Sequence, residues 1–372
     1  MNSLEVRKKT ITNIHESEFK FVIVSSGGGS NAIGSLLKVP GASNSILEAY
    51  IPYAKESLDF YLMKKPESYC SLDTTTRMAA RAYSAAKKID QKTNIEQLFG
   101  VAISATLSTN YEKKGSHRFH IAVQTRDFSQ SISCILNKGQ RTREEEEELV
   151  TEFVIALISD CCGFEFKYPK IKEDVEHIQI PAQKGWADLM SEKIKFVTSS
   201  NQQPKLIFPG AFNPMHDGHI AMSELANKEL SEEVFFEICI QNVDKPPLSY
   251  HQIKKTIDQF TDSKNWVLTK AGKFSDKAKL FPNSTFIIGA DTLVRIFDER
   301  FYASRREMME EFEIFNANNN NFLVFGREYK NKFIELNDIQ VPDSIKSRFR
   351  GFGENIFRKD VSSSTIRAQN SE

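Results

Sequence analysis

The chain has 372 residues, with 49 basic and 49 acidic side chains, so its formal net charge is zero. That balance excludes a protein that coats nucleic acid or anionic membrane through bulk electrostatics, although it leaves room for a small local anion site. Apolar residues at 40% and charged residues at 26% are ordinary globular usage, which excludes wholesale disorder, and the length asks for roughly two domains at about 150 residues each.

In chain order, the first twenty residues lack an apolar core and carry acids, so neither a secretory signal nor a transit peptide is expected. A short strand over 19–25 ends in the glycine-rich turn Ser26-Gly27-Gly28-Gly29-Ser30, and a helical stretch follows to Leu37. Apolar spacing predicts helices over 47–62 and 74–88, while alternating or continuous apolar runs predict strands over 100–106 and 117–124. The acidic run 143–148 leads into the apolar stripe Leu149, Val150, Phe153, Val154, Leu157 and Ile158, as in a helix with acids in its first turns. The segment 153–159 is the longest apolar run and reaches only about one third of the ~20 residues that span a bilayer, so no membrane partner is expected.

Residues 163–203 mix Lys, Glu, Pro, Ser and Asn, and the inter-domain connection is expected there. The expected domains are therefore 1–165 and 204–372, joined by a linker over 166–203. Beyond it the pattern restarts with a strand over 205–208, a helix over 219–230, a strand over 234–240, a helix over 250–260, and strands over 266–269 and 285–288. Strands alternating with helices predict an α/β fold with a parallel, doubly wound sheet. The asparagine-rich tract 316–321 reads as a loop tip. Cys70, Cys134, Cys161, Cys162 and Cys239 are odd in number and scattered, without a zinc-ligand spacing. They read as reduced thiols of a cytoplasmic protein with no structural metal.

The strongest motif is Gly210-Ala211-Phe212-Asn213-Pro214-Met215-His216-Asp217-Gly218-His219, placed after a predicted strand and before a predicted helix. Open α/β sheets bind ligands at such strand ends. The glycines permit close backbone approach, a helix start favours an anion, and two histidines three apart can both donate hydrogen bonds to a polyphosphate. A bare His-x-x-His has little force by itself: His117 and His120 share the spacing inside a strand and receive no role. A second match closes the chain, Val361-Ser362-Ser363-Ser364-Thr365-Ile366-Arg367, with serines at a helix start and a forked cation one turn on.

Together these motifs resemble the nucleotidylyltransferase family, with its GxFNPxHxGH and ISSTxIR segments. Between them, Phe286-Ile287-Ile288-Gly289-Ala290-Asp291-Thr292 looks like the corresponding segment of nicotinamide mononucleotide adenylyltransferases. Phe322-Leu323-Val324-Phe325-Gly326-Arg327 resembles the later strand that leads to the adenine side, and Lys245 follows the second strand. The resemblance runs from Pro204 to the terminus and implies a Rossmann-like domain that transfers a nucleotidyl group from ATP to a nucleotide phosphate, releasing pyrophosphate. By matching positions it implies His216, His219 and Arg367 as catalytic. Gly210, Ala211, Phe212, Ser362, Ser363, Ser364 and Lys245 would bind ATP, and Asn213 and Asp291 the acceptor. Mg²⁺ is expected because it bridges phosphate oxygens. Nicotinamide mononucleotide or its acid form leads as acceptor. A cytidylyl- or adenylyltransferase for another phosphorylated metabolite stays open, as does a non-catalytic nucleotide-binding scaffold. The expected partners are small nucleotides and not nucleic acid.

Residues 25–30, Val39-Pro40-Gly41-Ala42-Ser43-Asn44, Tyr53, Gly100-Val101-Ala102-Ile103-Ser104 and Gly139-Gln140-Arg141 resemble the C-terminal domain of the competence-damage-inducible CinA family, which includes nicotinamide mononucleotide deamidases. The resemblance spans residues 19–162. The departures weigh more than the matches. The family's Glu, Cys and Thr become Ser25, Gly27 and Gly28, its lysine falls at Leu58, and later glycines become Ala105, Leu107 and Ser108. The leading expectation is a degenerate domain kept as a structural remnant or dimerisation unit. Two others stay open: phosphate binding through the glycine-rich turn, and amide hydrolysis by Ser26 with Lys55 as a displaced base. The residues concerned are Ser26, Gly28, Tyr53 and Lys55. Relatives of both halves commonly associate, which leaves a homo-oligomer open.

Overall fold

The computed structural model describes residues 3–111, 113–165, 167–183, 185–241, 246–260, 264–359, 361 and 363–369. The chain divides into two compact units, Met1–Ser191 with Val243–Lys254, and Glu192–Asn242 with Lys255–Glu372.

In the first unit, α1 (Ser3–Glu16) precedes β1 (Lys20–Gly27), α2 (Asn31–Leu37), α3 (Ala42–Ser45), β2 (Ile46–Tyr50), α4 (Lys55–Leu62) and α5 (Leu72–Ile89). Then come β3 (Leu98–Thr106), β4 (His117–Gln124), β5 (Phe128–Leu136), α6 (Arg143–Cys161), β6 (Val175–Pro181) and α7 (Trp186–Met190). The sheet order is β2-β1-β3-β4-β5-β6, parallel among the first three strands and antiparallel after them. One face buries Phe21, Ile23, Val101 and Ile103 with Val150, Phe153 and Val154 of α6. The other buries Val22, Val24 and Ala102 with Met78, Ala79, Ala82 and Ala86 of α5. Alanines let α5 approach β3 closely: a Cβ on Gly100 would overlap the backbone of Ala79 and Tyr83. The acidic start of α6 is capped as its sequence suggests, with Glu145 N–H donating to Thr142 Oγ1 at 3.2 Å and Thr142 N–H donating back to Glu145 at 2.7 Å.

Two expectations are corrected here. The helix expected over 47–62 begins only at Lys55, because residues 46–50 pair in parallel with β1 as β2 and Pro52 follows. The segment expected as a linker over 166–203 is structured. Its strand β6 pairs with β5 from Phe128↔Pro181 to Cys134↔Val175, as a half-exposed edge strand whose polar alternation hides it from an apolar-run reading.

The second unit contains β7 (Phe196–Thr198), β8 (Leu206–Pro209), α8 (Asp217–Leu230), β9 (Val234–Cys239), the end of α9 (Tyr250–Ile257), β10 (Asn265–Thr269) and α10 (Phe274–Leu280). It continues with β11 (Thr285–Gly289), α11 (Ala290–Ile296), α12 (Arg305–Ala317), β12 (Asn321–Phe325), the hairpin β13 (Arg327–Tyr329) and β14 (Lys332–Ile334), β15 (Phe349–Phe352) and α13 (Ser363–Gln369). The sheet order is β15-β12-β11-β8-β9-β10-β7, parallel except for β7. Phe286, Ile288, Phe322 and Val324 meet Leu293, Phe312 and Phe315 in its core. The tract read as a loop tip is a tight turn between α12 and β12, and its Asn320 is buried, donating to Phe281 O at 2.8 Å. Successive strands leave β8 on one side through β9 and β10 and return on the other as β11. The carboxyl ends of β8 and β11 therefore flank a topological switch point, where open α/β sheets form ligand crevices.

Candidate active site

The loop after β8 is shaped by one aromatic ring. Phe212 is 1% exposed and takes a left-handed backbone, φ +43°. Its ring meets Phe208, Phe236 and Phe260 edge-on, at centroid distances of 5.5, 5.3 and 5.8 Å. A Cβ on Gly210 would lie 2.5 Å from that ring, so this position has room only for glycine. Left-handed backbone on a bulky residue is costly and persists where surrounding packing holds it. The loop then delivers His216 to the start of α8.

His216 and His219 stack, with ring centroids 3.8 Å apart and planes at 26°. The His216 N–H donates to His219 Nδ1 at 3.3 Å, which fixes the orientation of the second ring. Both ring nitrogens of His216 are buried without a hydrogen-bond partner. A Cβ on Gly218 would sit 3.0 Å from His216 Cε1 and Nδ1, so that glycine provides the space the imidazole occupies. Burial, then His216 and the Arg327 charge, lower the His219 imidazole to about 3. Burial and Arg327 likewise lower His216. The pair is thus neutral at pH 7, each ring offering one donor and one acceptor. They can meet a phosphate by hydrogen bonding, while the fixed charge comes from elsewhere.

That charge is Arg327, at the start of β13. It lines a cleft with His216, Gly218, Gly289, Phe325 and Lys359. Its Nε is 3.9 Å from Asp291 Oδ1, an oxygen that is buried and accepts no hydrogen bond. Asp291 lies in the first turn of α11, just after β11, and its carboxylate fills the space beside Gly289 that a Cβ would need. The ends of β8, β11 and β12 therefore bring His216, Gly289 and Arg327 to one cleft, with Asp291 beside Arg327.

The terminal motif reaches the same loop by a different contact from the one expected. Ser363 Oγ donates to Pro214 O at 2.8 Å, and an Arg367 Nη donates to Asn213 O. These two side chains hold the backbone of the loop that the resemblance would have them complete with a phosphate. Ala211 is exposed. Lys245 and Ser362 lie outside the described residues, as does the side chain of Ser364. Among the described residues no group of three or more His, Cys, Asp or Glu side chains could hold a metal ion. The donor set, one carboxylate facing cations, suits Mg²⁺ that arrives on a nucleotide's phosphate oxygens as part of the substrate.

In the first unit the candidate hydroxyl and amine each face another group. Ser26 Oγ donates to Pro52 O at 3.1 Å, and Lys55 Nζ lies 5.6 Å over the Tyr69 ring. Tyr53 is 67% exposed. The glycine-rich turn is filled from within. Glu147 of α6 accepts from Gly29 N at 2.8 Å and from Asn31 N at 3.1 Å. Above Gly28, a Cβ would lie 2.5 Å from Leu107 Cδ1 and 3.1 Å from Glu147 Oε2. Arg141 is tied to Glu173 at 2.6 and 3.0 Å, and the pairing lowers the Glu173 carboxyl to about 2.

Sequence reasoning gave no role to three residues. Arg327 stood within a quoted segment, and Lys359 precedes the terminal motif without belonging to it. Gln259 carries no local signal at all; it holds the loop through its side-chain amide.

Residues 207–369 match the Cytidylyltransferase-like family model, and this part of the chain is a nucleotidyltransferase domain. Among solved structures, the N-terminal half is similar to the competence/damage inducible protein CihA from Agrobacterium tumefaciens, at 16% identity over 43% of this chain and 91% of that one, TM-score 0.31. It is also similar to a competence or damage-inducible protein from Enterobacter asburiae, at 14% identity over 44% and 99%, TM-score 0.36. A Plasmodium falciparum nicotinic acid mononucleotide adenylyltransferase complexed with NaAD matches at 17% identity over 45% of this chain and 83% of that one, TM-score 0.27. No curated protein matches the chain. Among the described residues no helix is long and apolar enough to cross a membrane.

Proposed function

We propose that the second unit transfers a nucleotidyl group from MgATP to the 5′-phosphate of nicotinamide mononucleotide or its acid form, releasing pyrophosphate. The observation that carries the reading is His216. Its two buried ring nitrogens lack partners, and they share a cleft with Arg327 at the switch point of a domain matched by a nucleotidyltransferase family model. A buried polar group left unpaired is costly, which fits a group whose partner is the ligand. The choice of acceptor draws on the segment Phe286–Thr292 and its likeness to mononucleotide adenylyltransferases.

In this reading an acceptor phosphate oxygen forms a bond to the α-phosphorus in line, and the bond to the α–β bridging oxygen breaks. Such transfer needs little covalent help; positioning and neutralisation do most of the work. His216 and His219, being neutral, would donate hydrogen bonds to non-bridging oxygens. Arg327 and Lys359 would balance the charge of the polyphosphate, and Asp291 would orient the acceptor while keeping the Arg327 fork aligned. Ser363 and Arg367 would set the loop beneath the phosphates.

The family description gives one reason to test CTP as donor alongside ATP. The experiment is pyrophosphate release by the full chain from ATP or CTP with a panel of phosphorylated acceptors, repeated for His216→Asn. Release with ATP and a pyridine mononucleotide, lowered about 100-fold in H216N at unchanged stability, is the expected result. Release from CTP alone would replace the donor. Nucleotide binding with no release for any acceptor would make the unit a scaffold.

A further inference from the structure

The loop between Phe212 and His216 has no backbone ladder to define it. Four successive backbone groups instead find side-chain partners: Phe212 O, Asn213 O, Pro214 O and Met215 N bond to Gln259, Arg367, Ser363 and Gln259 respectively. Two of the four belong to one residue outside both motifs. Gln259 Nε2 donates to Phe212 O at 2.8 Å, and its Oε1 accepts from Met215 N at 2.8 Å. The partners themselves set the amide orientation, because a carbonyl oxygen needs the NH₂ end and an N–H needs the oxygen end.

We infer that Gln259 is a positioning residue for nucleotidyl transfer, a two-ended clasp that fixes the Phe212–Met215 turn and thereby aims His216 and His219 into the cleft. The inference rests on the transfer reading given above. Three features lead to it. The upper contact holds the carbonyl of Phe212, the residue whose backbone is left-handed at φ +43° and whose ring meets His219 at 5.1 Å. The lower contact holds Met215, the residue next to His216, whose own N–H orients the His219 ring. Finally, the following residue, Phe260, packs on Phe212 at 5.8 Å and on Phe236 at 5.2 Å, so the clasp is anchored in the same aromatic cluster that it restrains.

The chemistry restricts what could replace it. Only a carboxamide carries a donor and an acceptor on one planar head, and the shorter Asn would not span the same distance. Arg367 and Ser363 donate to carbonyls and leave Met215 N to Gln259. A methionine at 259 would keep the volume and lose both bonds. A glutamate would still accept from Met215 N, but at neutral pH it would set a carboxylate against the Phe212 carbonyl. It could donate there only when protonated, near the carboxyl range of about 4.3.

The test uses the full chain and two independent readouts. The first is hydrogen exchange of the Met215 amide, which reads the clasp whether or not the protein has activity. Gln259→Met should accelerate that exchange at least 10-fold and leave strand amides of β8 and β11 unchanged. The second is steady-state transfer. Misplacing catalytic groups by fractions of an ångström to an ångström costs up to about 100-fold in rate. Q259M should therefore lower kcat by about 10- to 100-fold with the KM for the mononucleotide within twofold. Gln259→Glu should be similarly impaired at pH 8 and recover at least threefold, relative to the native protein at the same pH, when assayed near pH 5. Unchanged Met215 exchange in Q259M, or faster exchange with native kcat, would overturn the clasp. A Q259E deficit equal at both pH values would reduce Gln259 to packing. If the native chain transfers nothing, the transfer reading fails, and the exchange experiment still decides whether Gln259 holds the turn.

Discussion

Gly218→Ala separates folding from chemistry more sharply than removing a histidine does. Gly218 lies in the first turn of α8, beside the His216 ring. An added Cβ would stand 3.0 Å from His216 Cε1 and Nδ1, several tenths of an ångström inside comfortable contact, and 3.8 Å from Lys359 Cβ. Helix energetics push the other way, since alanine is favoured over glycine in a helix by about 0.5–1 kcal/mol. The two effects are of similar size, so unfolding free energy should change by less than about 1 kcal/mol. Activity has no such compensation. The overlap is relieved by tilting the imidazole, and a displacement of that size at a reacting phosphate costs on the order of 10-fold or more in kcat. The assay pairs urea unfolding with pyrophosphate release on the same preparation. Native stability with native kcat would refute the argument, showing either that the ring yields without consequence or that His216 does not meet the transferred group. A large loss of stability would refute it differently, by showing that the ring has nowhere to go.

Two further predictions concern groups outside that contact. His219 has a folded-state value of about 3 against about 6.5 when unfolded, so between those pH values the unfolded chain binds more protons and stability falls as pH drops. From pH 7 to pH 5 this amounts to about 2 kcal/mol at 1.36 kcal/mol per unit. Urea unfolding should show the native chain losing that much more than His219→Asn over the same interval, and parallel profiles would mean the ring is not held neutral by burial. In the first unit, Glu147→Ala removes the acceptor of Gly29 N and Asn31 N, leaving two N–H groups unpaired at about 1–3 kcal/mol each. Denaturant unfolding of E147A should show a loss of about 2 kcal/mol or more, with Glu147→Gln losing less than half as much; an E147A chain of native stability would show that water serves these N–H groups as well as the carboxylate does.

The parts that were legible in the sequence are those whose cause is local. The strand, loop and helix that deliver His216 and His219 are consecutive, so glycines, histidines and apolar spacing all register within about 25 residues. The parallel order of the second sheet followed from the alternation of its elements. The clasp was not legible because Gln259 meets Met215 across 44 positions, and Arg367 meets Asn213 across 154, through side chain to backbone contacts that leave no periodicity. Arg327 lay in view but unassigned, since nothing local reveals that β12 and β13 bring it to Asp291. The helix expected over 47–62 failed in its first part for a related reason: the apolar residues of 47–50 suit either period, and only pairing with β1 decides the matter.

The two glycine-rich turns show why such a motif is a question about tertiary filling. Each follows a parallel strand with neighbours on both sides and precedes a helix, the local context that suggests an anion site. In the first unit that capacity is spent internally. A carboxylate from α6, 118 positions away, already accepts from Gly29 N, and Leu107 occupies the space over Gly28. An internal carboxylate competes at an effective concentration of the millimolar order or higher, so a free phosphate must displace both it and a buried leucine. In the second unit the position beside Gly218 holds an imidazole with two unpartnered nitrogens, and the space beyond it is a cleft carrying Arg327 and Lys359. Neutral net charge over 372 residues is compatible with both outcomes, because what differs is whether the chain supplies its own anion. Where it does, glycines record a fold; where it does not, as beside His216, they hold open a space in which ring nitrogens stay unpartnered.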